Sequence, residues 1–258
     1  YFPDFNELTV NWRASRIKAE RDSPDWRIYR RDAGELSSRV DGNQRTWSVL
    51  DDTAEEFGVD ASMTFYGGPL ESIITTRAGY VNNQKERQSE IRRFGFAFIG
   101  ALTNDRNLLL SPVENIFSPE NIRPDGFQIR ELTRPTDNYQ AENEMEAFYG
   151  EVEFNFNDRL RFTGGVRQED FTQQVNTFDL FRPTTGSNAS QETSELLPSF
   201  SLTFINYDHQ FRLAYSETVS RPDFRELSPA AFTNPVTGWE VIGNPDLKIT
   251  DIVNYDFR

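Results

Sequence analysis

Cysteine is absent from the chain, so no disulfide framework, thiolate chemistry or sulfur-based metal site is available to it. Histidine occurs once, at His209, placed by the pattern in a short turn. One histidine cannot assemble a zinc site, and no serine motif accompanies it as a nucleophile elbow, so the commonest hydrolase arrangements are excluded. No apolar run reaches the roughly 18 residues that a transmembrane helix requires. Basic residues are the minority: 27 Lys and Arg stand against 41 Asp and Glu, giving a net charge of −14. Phosphate neutralisation needs the opposite balance, so nucleic acid is not an expected partner. The acidic excess fits a solvated surface, or cation binding in outer loops. A secretion signal is missing too, since YFPDFNELTVNW has no basic start and no apolar segment. Val253, Tyr255 and Phe257 have only begun an alternating strand at the other end, so an internal fragment is expected.

Phenylalanine is plentiful. The chain holds 22 Phe and is 14% aromatic, although hydrophobic residues are only 36% of it and mean hydropathy is −0.66. Phe favours strands over disorder. A polar chain with Phe at alternate positions meets the requirement of a sheet with one face in lipid and the other wet. Phe57, Val59, Ala61, Met63 and Phe65 alternate with Gly58, Asp60, Ser62 and Thr64. The pattern resumes after a turn at 67–71 through Ile74, Thr76, Ala78 and Tyr80, and continues as a polar strand to Phe94, Phe96 and Phe98. Phe148, Gly150, Val152, Phe154 and Phe156 oppose Tyr149, Glu151, Glu153 and Asn155. Leu160, Phe162, Gly164 and Val166 follow a tight turn at Asn157-Asp158-Arg159, and oppose Arg161, Thr163, Arg167 and Glu169. A further pair runs through Pro198, Phe200, Leu202 and Phe204, then Phe211, Leu213 and Tyr215.

Short turns at 67–71, 157–159 and 206–209 alternate with long excursions at about 22–45, 101–138, 178–194 and 222–246. The 101–138 stretch has several prolines and no sustained period, which reads as loop. Short turns on one side and long loops on the other are the topology of bacterial outer-membrane barrels. The expectation is an all-β, antiparallel up-and-down meander of about eight strands over 1–258, the first from Leu8 to about Ala19, forming part of a large transmembrane β-barrel. Tyr66, Phe156 and Tyr207 lie beside the short turns, where an interfacial aromatic girdle falls. The competing reading is a soluble extracellular β-sandwich that binds carbohydrate and buries the same Phe stripes against a second sheet. A β-rich glycosidase is a third. Its candidate carboxylates, Asp51-Asp52, Glu55-Glu56 and Glu169-Asp170, are sequence neighbours whose side chains point to opposite faces of a strand. No catalytic residue, metal ligand or cofactor is therefore assigned.

Arg161, Arg167 and Glu169 share the face opposite Leu160, Phe162 and Val166, so lipid contact by the apolar set puts the charges in a lumen, as interior ion pairs. Arg221-Pro222 ends a strand, where a residue unable to donate to the ladder is tolerated. Gly243-Asn244-Pro245 is turn chemistry that restarts one. Between them, Asn234 and Trp239 stand on an outer loop, suited to hydrogen-bonding and stacking on a sugar or siderophore.

Ser220-Arg221-Pro222, the polar excursion, Gly243-Asn244-Pro245-Asp246-Leu247 and Asn254-Tyr255-Asp256 together resemble the late barrel of TonB-dependent outer-membrane receptors. Gly165-Val166-Arg167-Gln168-Glu169 resembles a strand motif of the same family. Asp25-Trp26-Arg27, Arg92-Arg93-Phe94 and Tyr139-Gln140-Ala141 match more loosely. The resemblance implies a barrel of about 22 strands in the Gram-negative outer membrane, blocked by an N-terminal plug that this sequence lacks. It further implies capture of an oligosaccharide or siderophore-type ligand, and energy delivered by the TonB complex through that plug. Outer-membrane lipid is then the remaining partner.

Overall fold

The computed structural model describes residues 2, 5–67, 71–182, 186–233 and 239–258, the side chains of 232 and 233 excepted. Strand β1 (Thr9–Tyr29) leads through a small hairpin, β2 (Arg31–Asp32) and β3 (Glu35–Leu36), into β4 (Asn43–Tyr66) and then β5 (Ile73–Phe98). Two short helices, α1 (Arg106–Leu110) and α2 (Val113–Ile116), precede β6 (Phe127–Glu131). The chain then runs through β7 (Asn138–Phe156), β8 (Leu160–Phe178), β9 (Asn188–Asn206) and β10 (His209–Ser220). After α3 (Phe224–Leu227) and the two-residue strands β11 (Phe232–Thr233) and β12 (Glu240–Val241), β13 (Thr250–Phe257) completes it.

The principal sheet is an antiparallel meander in the order β1-β4-β5-β7-β8-β9-β10-β13, with β6 added beside β5. Its register carries one apolar row across the wall: Phe65, Ile74, Phe154, Phe162, Leu202, Leu213 and Phe257 are successive cross-strand partners. Since side chains alternate with period 2, every second residue from this row shares its face. The band so formed reaches Trp12 on β1, Tyr80 on β5, Phe148 on β7, Leu196 on β9 and Val253 on β13. One step further the same face turns polar, with Glu55, Asn82, Glu146, Gln168, Ser194, Glu217 and Asp251. On β7 the band runs from Phe148 to Phe156, close to the ~9–11 residues that a tilted strand needs to cross hydrocarbon. Its rings are not hidden beneath a second layer: Trp12 is 74% exposed and Phe148 57%. A sandwich would have buried them, so the single open-faced sheet removes that alternative among the described residues.

Tight turns close the short-loop end. Asn157 and Asp158 take φ of 47° and 56°, and Arg159 N–H donates to Phe156 O at 3.0 Å, the positive-φ pair that matches the twist of a two-residue hairpin. The 67–71 turn lies largely outside the described residues. Tyr66 and Tyr207 stand exposed beside their turns.

The opposite end departs from expectation. β1 continues past Ala19 to Tyr29, absorbing Pro24 at a bulge between Ser23 and Trp26, and β4 begins at Asn43. β9 likewise starts at Asn188, inside the stretch read as a loop to Ser194. Just beyond the apolar band both strand faces are polar, so alternation fades from the sequence there although the ladder continues. β5 alone is 26 residues long, far more than a bilayer requires. The 101–138 region is also structured. Asp105 caps α1 by accepting from Asn107 N–H at 2.9 Å. Ile116, Phe127, Leu109 and Leu36 form a dry cluster, with Phe96 and Phe117 stacked at 3.9 Å between centroids. Segments of four or five residues are too short to display a helical period.

Candidate functional site

The face opposite the apolar band is lined with paired charges. Arg13 meets Glu56 at 2.6 Å, Arg77 meets Glu151, and Arg161 approaches Glu153 at 3.8 Å. Glu169 accepts from Arg167 at 2.6 Å and pairs with Arg221 at 2.8 Å, while the Arg221 guanidinium lies 4.6 Å from the Phe171 ring centroid. The Gly165–Glu169 stretch and the Ser220-Arg221-Pro222 turn, far apart in sequence, thus converge on one carboxylate, and Glu169 is only 7% exposed. Arg161, Arg167 and Glu169 all lie on this polar face, each in an ion pair.

The β9–β10 ladder ends at Ser199 and Ser216, next to Pro198, which has no N–H to extend it. Past that point β10 pairs only with β13, and the chain from Arg221 onward folds over the polar face. Asp223 and Glu226 form a capping box that nucleates α3, a signal readable in the sequence as Asp-x-x-Glu. Phe224 and Leu227 then bury against Tyr139, Ala141, Val175 and Ala189 of the wall. Polar ties hold the segment down. Gln173 donates to Pro222 O at 3.1 Å, and Arg87 bridges Asp52 at 2.6 Å and Asp223 at 3.2 Å. Arg93 pairs with fully buried Asp137 at 2.9 Å and donates to Ala231 O at 2.6 Å.

Gly243 and Asn244 complete this unit. Their N–H groups donate to Ser228 O at 3.1 Å and Glu226 O at 2.6 Å, capping α3. A Cβ at 243 would lie 2.3 Å from Ser228 O, so only glycine allows the approach. Asn244 also accepts from Asp246 N–H at 3.0 Å, a side-chain turn leading past Pro245. β13 itself begins later, at Thr250. The triplet therefore makes its turn while anchoring α3, several residues before the strand it was expected to restart.

Between the folded-in segment and β1, β4 and β5 lies an open cavity of about 600 Å³. Four arginines line it: Arg21, Arg87, Arg93 and Arg225, with Trp26 and Tyr139 beside them and no carboxylate. Burial pushes the Tyr139 hydroxyl pKa up. Burial, reinforced by Arg21 and Arg87 and opposed by Tyr139 and Asp223, pulls the Arg225 guanidinium below its ordinary value. Trp26, Arg93 and Tyr139 drew notice in the sequence only as loose motif matches and the other arginines drew none, because their convergence depends on strands extended beyond the visible alternation.

Trp239 stands 76% exposed next to β12, whose Glu240 pairs with Arg134. Asn234 lies outside the described residues. His209 is exposed at the start of β10. No cluster of three His, Cys, Asp or Glu suited to a metal ion occurs among the described residues, and no described helix is long and apolar enough to cross a membrane.

A single meander with an apolar band on one face and paired charges on the other is the wall of a membrane barrel. Residues 2–257 match the family described as TonB dependent receptor-like, beta-barrel. The chain belongs to that family. Among solved structures it is similar to the ferric citrate transporter FecA in its unliganded form, at 14% identity and a TM-score of 0.53. That match covers 82% of this chain and 25% of the transporter, so the chain spans a quarter of its neighbour's length. A second likeness, to the ferric-catecholate import receptor Fiu from K12 E. coli, has 9% identity and a TM-score of 0.29, covering 82% of this chain and 49% of that one. No curated protein matches the chain. The family and these neighbours are receptors and transporters, not enzymes.

Proposed function

We propose that this chain forms part of the barrel wall, with its outer loops, of a receptor for TonB-dependent nutrient uptake across the Gram-negative outer membrane. The observation that carries the reading is the register-locked apolar band, wide enough for hydrocarbon and backed by a charged face. Charge on a lipid face is costly, so the paired Arg and Glu residues line a lumen. The ligand is an oligosaccharide or a siderophore-type chelate; the likeness to a ferric citrate transporter is compatible with the second. Trp239, and Asn234 with it, supply stacking and amide contacts at the rim. Plug and TonB contact belong to parts of the receptor beyond this wall, and no covalent chemistry is involved: loops capture, the plug moves.

The test uses the intact receptor in its native host. It should fractionate with outer membranes and migrate differently on gels before and after heating, as folded barrels do. Growth on its nutrient should vanish when TonB is deleted. Recovery in the soluble fraction, or growth undiminished without TonB, defeats the proposal.

A further inference from the structure

The arginine-lined cavity points to a ligand chemistry. Its lining contrasts with the rest of an acidic chain: the hollows on the opposite face of the same strands are edged by Glu86, Glu142, Glu144 and Glu192, whereas this one is edged by Arg21, Arg87, Arg93 and Arg225. Some of that charge is already compensated. Arg93 is held by Asp137, and Arg87 by Asp52 and Asp223. Arg21 makes no ion pair with a described residue, and Arg87 Nε is buried without an acceptor. An orphaned buried guanidinium N–H has lost its water and gained nothing in return, a state that an incoming anionic oxygen would relieve.

The cavity is also placed to meet a ligand from outside. Its Ser89–Tyr139 row stands nine residues along β5 from Tyr80, where the membrane band ends on the opposite face, and at about 3.3 Å per residue this is ~30 Å along the strand. It is open, and its volume falls in the range of small-molecule sites. Buried Ser89, Thr46 and Tyr139 form a floor with hydroxyls, and Trp26 offers a ring at the edge. Arg93, fixed from two sides, is pre-organised, so less ordering cost falls on binding. Guanidinium forks match carboxylates two bonds at a time.

Building on the uptake reading, we infer that this cavity recognises a ligand carrying clustered carboxylates, such as an acidic sugar oligomer or a polycarboxylate chelator. The purified intact receptor in detergent should be titrated calorimetrically with trigalacturonate, its trimethyl ester and citrate. At least one acid should bind while the neutral ester does not. Binding should weaken with added salt and fall at least about tenfold in the R21Q/R225Q double variant. R16Q, on the opposite face, should bind as the unmodified receptor does. Trigalacturonate alone binding identifies a saccharide source and citrate alone a chelate; either supports the inference. Binding of the ester as tight as the acid, undiminished affinity in R21Q/R225Q, or no binding of either acid overturns it. Heat-shifted migration checks that the double variant folds; if it does not, R21Q replaces it, since Arg21 is exposed and makes no ion pair. TonB-dependent growth is scored separately. Carboxylate binding without TonB dependence would sink the uptake reading alone, and TonB dependence with a neutral ligand would sink this inference alone.

Discussion

Beyond the membrane band the same strands present two unlike surfaces. Outward, β7 shows Glu142, Glu144 and Glu146, and the groups nearest them are Gln84 and the Tyr80 hydroxyl, hydrogen-bonded to Glu144 and Glu146 at 2.7 and 2.8 Å. Those carboxylates are solvated and need no cation. Inward, one residue along, Arg87, Arg93, Glu169 and Arg221 are largely buried and each has an ionic partner. The difference lies in burial rather than in strand chemistry. The outer surface meets water, whereas residues 221–231 and 243–247 fold onto the inner one and bury much of it. Identical backbone geometry thus supports a solvated acidic exterior and a buried, guanidinium-rich interior.

Removing one partner on each side exposes the contrast most strongly. Asp137→Ala leaves Arg93 buried without its counter-ion and should cost about 3–5 kcal/mol, measured by urea unfolding of the refolded intact barrel. Glu55→Ala on the outer face breaks an exposed pair with Arg16 (3.1 Å) and should cost no more than about 1 kcal/mol. Equal losses would mean that the inner segment does not exclude water. Within the membrane band the asymmetry reverses. Phe154→Arg or Phe162→Arg should cost about 2–4 kcal/mol if the site lies near the midplane, while Thr163→Arg, on the polar face, should be tolerated far better. A smaller, local effect is expected from Gly243→Ala. Its Cβ would press on Ser228 O, so α3 should loosen. Protease cleavage between 221 and 247 should then accelerate while the barrel's heat-shifted migration persists.

How far the sequence disclosed this depends on where the period survives. Within the band, Phe154 against Glu153 and Phe162 against Arg161 alternate without interruption, so strand, face and short turns were all legible. Past Tyr80 and Phe148 the outward residues become Asn82 and Glu146, polar like their inward neighbours. β1, β4 and β9 were accordingly read too short. α1 and α2 were too brief to show a period, though Asp105 and the Asp223–Glu226 box are capping signals that could have been used. The pairing of Glu169 with Arg221 was not legible, because each residue's motif suggested its own local role and only the register brings them together. The arginine cavity was hidden for the same reason: Arg21, Arg87, Arg93 and Arg225 come from two strands and a helix.

The finest test of the comparison sits on the outer surface, where one site is held as firmly as those inside. Asp25, at the β1 bulge with φ of 55°, accepts from Arg45 at 2.6 and 2.7 Å and also from Arg27. Arg45 first, then Arg27, hold its carboxyl well below its ordinary value of 3.8. A carboxylate with a depressed folded pKa stabilises the fold fully above its unfolded value, and that stabilisation is lost as pH falls from there through the folded one. Asp25→Asn keeps a residue tolerant of the left-handed backbone but removes the charge. The unmodified receptor should therefore exceed D25N in stability at pH 7, by less than the Asp137 effect because Asp25 retains 24% of its side-chain exposure. The gap should close progressively below about pH 3.8. A gap that stays constant down to pH 2 would show that the bulge is held by backbone geometry alone, and that strong ion pairing is confined to the inner face.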